Sequence, residues 1–542
     1  MAVFGDPASE SAHAWDVAAG TLVGAYQGHG GTINAAAFGL ADRLLATASD
    51  DGTTRLWDAR TGRQLAALVN FNDGSSVVFT PDGYYMADKS ALRGIAFVVD
   101  NHAFAFDQFD LKFNRPDIVL DRIGLAPKEL IDAYRRAHEK RLQRSGFTEE
   151  MLGDDFHLPE VALSGVPPMT SAETSATFTV KATDSKYRLD RLNVWANGVP
   201  IHGRNGLSLR DVPSQTASRD VRVELVPGPN LIEVSATNEK GAESLKESFS
   251  VQCTAPTTKP DLYLVAVGVS KYRDARYALT YAAKDASDLA ACFENGKSTF
   301  AAVHVRRLLD GDATRDNILA AKTFLAGSKV GDTALVSVAG HGLLDKQLDY
   351  YFGTADLDFD HPADRGLPYE AIEDLLDGIP ARNRLLLMDT CHAGEVDRDE
   401  ATATAPRQVA GGAVTGRGPR AKLAGYIERP PSRNSDLLQS LFEDVRRGSG
   451  ALVVAAAGGL EYSYEGADWN NGVFTYSVLK GLRDGVADAN HDGVITVTEL
   501  RDYVAAQVAD LTHGRQQPVA RRENPRVDFA VGHTSASAQA EH

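Results

Sequence analysis

The stretches DTALVSVAGHG (residues 332–342) and RLLLMDTCHAG (residues 384–394) decide the fold of the second half of this 542-residue chain. Each contains a near-continuous apolar run of strand length, as buried parallel strands do. The first run leads directly into His341 and the second into Cys391. Because ligands bind at the carboxyl ends of parallel strands, both residues are expected at the functional edge of one sheet. A histidine beside a thiol activates it as a nucleophile, so the pattern predicts a catalytic pair.

The sequence around these two strands continues in the same way from residue 260 to 535. Further strand candidates are DLYLVAVGVS (261–270), VHVRRLLD (303–310) and ALVVAAAG (451–458). Strands that alternate with helices predict an α/β domain with helices on both faces of the sheet. Cys253 and Cys292 have no histidine-bearing strand end to pair with, so both are interpreted as structural thiols. A structural thiol is also the alternative for Cys391.

The motifs GHG (340–342) and DTCHAG (389–394) resemble those of the caspase-like cysteine peptidases, peptidase C14, and most of all the bacterial metacaspase or orthocaspase group. In caspases the histidine precedes the cysteine by ~50 residues, and here the separation is 50. The resemblance implies that Cys391 attacks the scissile carbonyl and that His341 delivers a proton to the leaving amine. It also implies an oxyanion hole built from the backbone N–H groups of Gly342 and Cys391.

The same resemblance bears on substrate specificity. Animal caspases carry glutamine two residues before the cysteine, whereas this chain has Asp389 there, as metacaspases do. The segment YAAKDASDLA (281–290) resembles the place of a second metacaspase aspartate, which points to Asp285. Two carboxylates in one pocket suit a guanidinium or an ammonium group, which implies cleavage after Arg and less often after Lys. The alternative is that Asp285 caps a helix over residues 286–293. Ala339 replaces the serine that metacaspases usually carry two residues before the histidine.

Residues 401–436 differ in composition from the rest of the domain: they are rich in Ala, Thr, Gly and Pro, with scattered basic residues. They resemble the inter-subunit linker of caspases and are expected to be structureless. An arginine-specific peptidase could process itself there, or an upstream protease could cut the segment; an inert loop is the remaining alternative. The candidate cleavage sites are Arg407, Arg417, Arg420 and Arg433.

DANHDGVITVTE (residues 488–499) fills every oxygen-ligand position of the 12-residue EF-hand loop, with Gly493 at the sharp turn. The pattern predicts a calcium site, and calcium is the one cofactor expected. The alternatives are weak binding, because the loop is single, or a plain turn into the next helix. The candidate ligands are Asp488, Asn490, Asp492, Val494 through its carbonyl, and Glu499.

Residues 1–110 read as short strands with an internal repeat, in which Trp15 and Trp57 recur 42 residues apart. With Gly28-His29 ahead of Trp57-Asp58, this region resembles WD repeats. A propeller needs ~4–8 blades, and only two or three are visible. The partial WD-repeat-like region is therefore expected to bury its blade faces on another domain, a protein partner or a second copy. The alternative is a stabilising appendage.

Two more regions separate these ends. Residues 111–157 are expected to be a helical connector whose charged run (126–144) is a solvated face rather than a binding patch. Residues 158–254 alternate apolar and polar positions, with turns at Asn197-Gly198 and Pro227-Gly228, and resemble an immunoglobulin-like β-sandwich. The expected role of that sandwich is a spacer or docking module.

Composition narrows the function classes. Lys+Arg number 56 and Asp+Glu 73, a net charge of −17, which argues against a nucleic-acid binder and favours basic partners. Three cysteines cannot build a disulfide framework. No secretory signal and no apolar run of ~20 residues is visible, so a cytoplasmic protein without membrane contact is expected.

The favoured function is a cysteine endopeptidase that cleaves protein substrates with exposed Arg or Lys, activated by linker cleavage, calcium or both. One alternative is an interaction scaffold, built on the WD-like and sandwich modules, with a silent peptidase domain. A second alternative keeps the catalytic pair but uses it for acyl transfer or deconjugation.

Overall fold

The computed structural model describes residues 2–534 except 7–9, 41, 73, 88–90, 100, 154, 212, 297–298, 348, 391–407, 410–411, 417–448, 458–462 and 523–527. Elements are numbered in chain order. Within the described part of the chain, no helix is both long enough and apolar enough to cross a membrane.

The first region forms open antiparallel sheets rather than a closed ring of blades, as far as the described strands show. The three-stranded sheet contains β1 (Ala2–Asp6), β2 (Ser11–Asp16) and β3 (Thr21–Gln27). The six-stranded sheet contains β4 (Ile33–Gly39), β5 (Leu44–Ser49), β6 (Thr54–Asp58), β7 (Gln64–Asn70), β8 (Ser76–Phe79) and β9 (Tyr85–Ala87). A hairpin follows, β10 (Ala96–Val99) and β11 (His102–Ala105). The first two sheets share a core around Tyr26, Leu45 and Trp57.

A hydrogen-bonded chain of polar side chains fixes the WD-like unit. The Trp57 indole N–H donates to Thr47 Oγ1 at 2.8 Å, and Thr47 Oγ1 lies 2.7 Å from His29 Nε2. His29 Nδ1 lies 2.8 Å from Asp51 Oδ2. Hydrogen bonds from Thr53, His29 and Gly30 outweigh the effect of burial and lower the pKa of Asp51 far below its usual range. The chain ties strands β5 and β6 to the preceding Gly28-His29 segment.

Three helices lead away from the sheets: α1 (Asp110–Phe113), α2 (Pro116–Ile123) and α3 (Lys128–Ser145). Gly146, at φ +72°, ends α3 in the left-handed conformation that glycine adopts without strain. The expectation of a wholly solvated charged face is wrong. Lys140 Nζ lies 2.8 Å from Asp349 Oδ1, and Arg144 Nη2 lies 2.7 Å from Asp374 Oδ1, both in the α/β domain. The basic run of α3 meets acidic residues there, because opposite charges attract across a partly desolvated contact.

Residues 160–253 form two sheets that enclose one core, which includes Phe178, Val194 and Val234. Asn197 (φ +51°) and Gly198 (φ +75°) make the two-residue turn that their sequence favours. The assignment of this sandwich to the immunoglobulin-like group stays a prediction. One sheet contains β12 (Glu160–Ser164), β14 (Ser175–Thr183) and β18 (Thr216–Glu224). The other contains β13 (Thr170–Ser171), β15 (Leu189–Ala196), β16 (Val199–Pro200), β17 (Leu207–Ser208), β19 (Gly228–Asn238) and β20 (Glu247–Cys253).

A six-stranded sheet organises the last domain. Its order is β22 (Val303–Leu309), β21 (Leu262–Gly268), β23 (Thr333–Gly340), β27 (Asn383–Thr390), β30 (Leu452–Ala455) and β34 (Val519–Arg522). All neighbours are parallel except β30 and β34. One core face holds α5 (Arg315–Leu325); the other holds α4 (Ala282–Asn295), α8 (Val473–Arg483) and α9 (Val497–Leu511). The predicted α/β layering is therefore present.

Short elements decorate the edges of this domain. They are β24 (Gly342–Leu344), β25 (Tyr350–Phe352), α6 (Pro362–Arg365), β26 (Leu367–Pro368), α7 (Tyr369–Asp374), β28 (Gln408–Val409), β29 (Gly412–Gly416), β31 (Tyr464–Gly466), β32 (Asn471–Gly472), β33 (Val494–Thr496) and β35 (Ala530–His533). Single 3₁₀ turns occur at Ala91–Gly94, Phe106–Phe109, Glu149–Met151, Ala275–Tyr277 and Asp310–Asp312.

Candidate active site

His341 lies at the carboxyl end of the central strand β23 and is fully buried. Its backbone N–H donates to Tyr272 Oη at 2.9 Å, and its carbonyl accepts from Gly353 N at 2.8 Å. Hydrogen bonds to its N–H and its carbonyl thus fix the backbone of His341.

The ring of His341 is oriented by a main-chain carbonyl. Nε2 lies 2.8 Å from Tyr277 O. A carbonyl oxygen only accepts, so Nε2 carries a hydrogen, and in the neutral ring Nδ1 then holds the lone pair. This tautomer makes Nδ1 the nitrogen that can take a proton from a nucleophile.

Aromatic side chains surround the His341 ring. The ring centroids of Tyr272, Phe359 and Tyr277 lie 5.0, 5.6 and 6.3 Å from that of His341. Tyr277 and Phe359 also stack on each other, with centroids 3.7 Å apart. These rings keep water away from part of the imidazole and strengthen its hydrogen bond to Tyr277 O.

Cys391 lies outside the described residues, but the residue before it is described. Thr390 is paired in register with Gly340, the residue before His341, on neighbouring parallel strands. Thr390 Oγ1 lies 2.8 Å from Tyr350 Oη in the buried interior. Gly342, the predicted oxyanion donor beside His341, opens β24 and pairs with Phe352.

The two described cysteines are free and fit the structural role predicted for them. Cys253 is 1% exposed in the sandwich core. Burial raises the pKa of the Cys292 thiol above its usual value, which disfavours the thiolate needed for nucleophilic attack.

Asp389, the next-to-last residue of β27, is 2% exposed and points to the start of helix α8. Its Oδ1 accepts from Ser463 Oγ at 2.7 Å. Its Oδ2 accepts from Thr475 Oγ1 at 2.6 Å and from Thr475 N at 3.3 Å. The carboxylate therefore sits at the positive end of the α8 dipole.

Asp285 reaches the same helix end from another element. It is 1% exposed, and its Oδ1 accepts from Asn471 Nδ2 at 2.7 Å and from Gly472 N at 3.1 Å. Gly472 is the residue that caps α8. The alternative in which Asp285 caps its own helix is wrong, since α4 already begins at Ala282 and Asp285 lies within its first turn. The structure thus brings the two predicted aspartates to one helix terminus.

Sequence reasoning missed the residues that hold these carboxylates. Ser463, Asn471 and Thr475 donate to them, and Glu465 accepts from Thr280 N at 2.8 Å and from Tyr281 N at 3.2 Å just ahead of α4. They come from the segment SYEGADWNNGVFT (463–475), which carries no spacing typical of a known site. Its only signal was a polar hairpin directly ahead of an amphipathic helix.

The described residues of the predicted linker form two short strands. Within residues 401–436, β28 and β29 form strands, so the expectation of a wholly structureless segment is wrong. β29 pairs with β31, which gives its backbone hydrogen-bond partners. The predicted cleavage sites Arg407, Arg417, Arg420 and Arg433 lie outside the described residues.

The predicted calcium ligands lie along the segment that joins α8 to α9 and in the first turn of α9. Asp488, Asn490 and Asp492 follow one another along the loop, Val494 begins β33, and Glu499 lies in the first turn of α9. This loop is at the opposite end of α8 from Asp285 and Asp389.

Comparison with known proteins matches residues 263–530 to the family described as Caspase domain, and residues 20–58 to the family described as WD domain, G-beta repeat. The guanine nucleotide-binding protein subunit beta of Arabidopsis thaliana is 34% identical over 87 residues, which cover 16% of this chain and 23% of that protein. The pre-mRNA-processing factor 19 homolog 2 of the same plant is 39% identical over 72 residues, 13% of each chain. The chain thus spans less than a quarter of the length of these curated relatives.

Among solved structures, caspase-1 from Spodoptera frugiperda is 15% identical, with a TM-score of 0.29; the match covers 51% of this chain and 91% of that one. From the family matches, residues 263–530 are a caspase domain of the peptidase C14 family of cysteine peptidases, and residues 20–58 are a WD repeat.

Proposed function

We propose that this caspase domain is an active cysteine endopeptidase that cleaves protein substrates after Arg, and less often after Lys, through His341 and Cys391. The observation that carries the proposal is the pairing of Gly340 with Thr390 on neighbouring parallel strands. Adjacent strands lie ~4.8 Å apart, and the paired residues directly precede His341 and Cys391 in the sequence, which supports a proton transfer between these two side chains.

The proposed chemistry follows from the tautomer of His341. Nδ1 takes the proton of the Cys391 thiol, and the sulfur attacks the scissile carbonyl carbon. Nδ1 then gives that proton to the leaving amine, and water hydrolyses the acyl-enzyme. Tyr277 O keeps the ring oriented and accepts from Nε2–H as positive charge develops on the imidazole. The N–H groups of Gly342 and Cys391 are proposed to hold the oxyanion.

Asp285 and Asp389 support the proposed preference for a basic residue. Both carboxylates converge on the first turn of α8. A guanidinium that reaches them makes charge-assisted hydrogen bonds, the strongest available in such a pocket. Because the two residues are only 1% and 2% exposed, the pocket must open before an arginine side chain can enter.

That requirement supports activation by cleavage of the linker. β29, in the linker, pairs with β31, and β31 pairs with β32, whose Asn471 and Gly472 hold Asp285. The linker is therefore bonded to the hairpin that frames the proposed pocket. Cutting beside β29, for example at Arg407 or Arg417, frees that hairpin to rearrange. Calcium binding at residues 488–499 is the second proposed means of activating the peptidase. A cytoplasmic location stays a prediction.

A scaffold function is the second candidate, and the WD-like region supports it. Trp15 is 41% exposed in the open sheet, and Val17 is 71% exposed in the turn that follows β2. We propose that this surface recruits a protein substrate, a partner or a second copy of the chain. If the peptidase domain is silent, recruitment is the whole function.

A fluorogenic peptide assay separates the two candidates. Peptides ending in Arg, Lys or Asp before the reporter are incubated with wild type, Cys391→Ala, His341→Ala and the control Cys292→Ala. We expect cleavage of the Arg and Lys peptides by wild type and the control only, with both site variants folded by circular dichroism. Near wild-type turnover in Cys391→Ala or His341→Ala contradicts the catalytic pair, and no turnover in activated wild type supports the scaffold.

A further inference from the structure

The loop between α8 and α9 contains a buried acidic oxygen without a partner. Asp488 is 5% exposed, and its Oδ1 makes no hydrogen bond. Its other oxygen, Oδ2, accepts from Gly493 N at 3.0 Å, on the far side of the loop. The carboxylate therefore points across the loop. A buried carboxylate oxygen without a partner destabilises the folded state unless it coordinates a cation.

The loop concentrates negative charge as well. Asp488, Asp492 and Glu499 place three carboxylates within twelve residues, with no lysine or arginine among them. In the described part of the chain, no ion pair to these three carboxylates is formed. Asn490 and Asp492 are exposed, so one side of the loop is open to solvent and to an entering ion.

The backbone already has the shape that such a site needs. His491 (φ +59°) and Gly493 (φ +87°) take left-handed conformations that turn the chain back on itself. Asn490 Oδ1 accepts from Asp492 N at 2.9 Å, and Asp492 Oδ1 accepts from Val494 N at 2.8 Å. These bonds fix the Asn490 and Asp492 side chains against the loop backbone.

Glu499 supplies the last candidate ligand. Its Oε1 accepts from Ala489 N at 3.2 Å and from Asn490 N at 3.3 Å, so it lies against the start of the loop. Its Oε2 caps helix α9 through Thr496 N at 2.9 Å. The carboxylates do not meet at one point in the described residues, where no group of three His, Cys, Asp or Glu side chains forms a ready metal cage. Binding must therefore draw Glu499 inward from Ala489 and Asn490.

We propose that residues 488–499 bind one Ca²⁺ ion and that the ion secures the end of the domain. The ligands are oxygens of Asp488, Asn490, Asp492 and Glu499 with the Val494 carbonyl, a set that suits a hard cation with flexible coordination better than Mg²⁺. β33, inside the loop, pairs with β35, and Thr534 N donates to Gly493 O at 3.0 Å. Calcium thereby fixes the strand that closes this domain. Calcium binding at this loop is measured without peptidase turnover, so its test is separate from that of the proposed function.

The test uses the full chain with Cys391→Ala, stripped of metal and titrated with CaCl₂ by isothermal calorimetry. We expect one ion per chain with a Kd of about 10⁻⁴–10⁻³ M, the weak end of the range for such loops. Saturating calcium should raise Tm by about 5 °C, because only the folded state binds it. The same concentration of MgCl₂ should shift Tm much less.

Two variants assign the ion to this loop. Asp488→Asn keeps an acceptor for Gly493 N–H, and Glu499→Gln keeps the cap on α9, since glutamine also closes a capping box. Each should weaken calcium binding at least tenfold and remove the Tm shift. Asp502→Asn, which removes an exposed charge from α9, should behave as the parent. The Tm of each variant without metal shows whether that variant is folded. If Asp488→Asn does not fold, the calcium binding of Glu499→Gln decides the test. Unchanged binding in a folded loop variant, or no binding by the parent at 5 mM calcium, overturns the proposal.

Discussion

At the residue scale, the Tyr277 carbonyl oxygen lies 2.8 Å from His341 Nε2 and orients the ring. Because a carbonyl oxygen only accepts, this contact keeps the hydrogen of the neutral ring on Nε2 and the lone pair on Nδ1. Tyr277 belongs to a single 3₁₀ turn, whose Asp274 side chain accepts from Arg276 N at 3.0 Å, so a local cap helps to place the carbonyl.

The acidic pocket gives a prediction at the same scale. Asp389→Asn removes one charge and keeps the shape of the side chain. Loss of a charge-assisted contact costs about 1.5–3 kcal/mol, so kcat/KM for arginyl peptides should fall about ten- to a hundredfold. Thr475→Val is the matched control, because it removes the hydrogen bond to Oδ2 and keeps both charges. The measurement is the ratio of kcat/KM for arginyl and alanyl peptides in wild type and each variant.

Asp285→Asn extends the same test to the second carboxylate. If the arginine preference is unchanged in both aspartate variants, these residues only cap helix α8 and the pocket lies elsewhere.

The sequence could predict these side chains but not their setting. His341 and the two strands follow from apolar runs that end in polar residues, a local pattern, whereas Asp389 was predicted from the resemblance to metacaspases. Ser463 and Thr475 lie 74 and 86 residues from Asp389 along the chain. Contacts between such distant segments are fixed by the packing of α8 on the sheet, and no spacing rule encodes them. The resemblance predicted Asp285 through its place in the fold, although its helix begins four residues earlier than expected.

At the scale of elements, the linker is the feature that differs most from expectation. A run rich in Ala, Gly and Thr shows no clear strand signal, yet β29 pairs with β31 through residues Val414, Thr415 and Gly416. Backbone hydrogen bonds between strands can form with almost any residue type, so the amino-acid composition alone could not predict this pairing. The consequence is a direct connection between the linker and the hairpin β31–β32.

That connection predicts how cleavage controls activity. Replacing Arg407, Arg417, Arg420 and Arg433 together with Gln should leave an uncut chain with less than about a tenth of the activated turnover, because the hairpin stays tied to the linker. Arg429→Gln is the control, since Arg429 precedes Pro430 and offers a poor bond to cut. Intact mass and turnover are measured together, in wild type, Cys391→Ala and the variants.

The fragment pattern distinguishes the two activation routes. Cuts within 401–436 in wild type alone mean self-processing, and cuts in Cys391→Ala as well mean an outside protease. Full activity in the uncut quadruple variant shows that the linker is inert.

At the scale of the whole molecule, charge joins the connector and the sandwich to one site on the peptidase domain. Arg144 of α3 and Arg204 of the sandwich both bind Asp374, and Arg204 Nε also lies 3.1 Å from Asp377 Oδ2. Gly203 makes the approach possible at φ +67°, because a Cβ there would lie 3.2 Å from Asp377 Oδ2 in a conformation that side chains rarely adopt. Three regions of the chain therefore meet at α7 and the residues just after it.

The ion pairs at this contact predict that the radius of gyration depends on salt concentration. Partly exposed ion pairs contribute about 1 kcal/mol or less each and are screened as ionic strength rises. Arg204→Asp replaces attraction with repulsion towards Asp374 and Asp377, so the radius of gyration measured by small-angle scattering at 50 mM salt should exceed that of wild type. Adding Asp377→Arg should bring it back part of the way. Arg219→Asp, an equal charge change on the exposed strand β18, should leave it unchanged. At 500 mM salt, wild type should move towards the Arg204→Asp value. Equal radii for Arg204→Asp and Arg219→Asp at low salt would mean that apolar packing, and not these ion pairs, holds the three regions together.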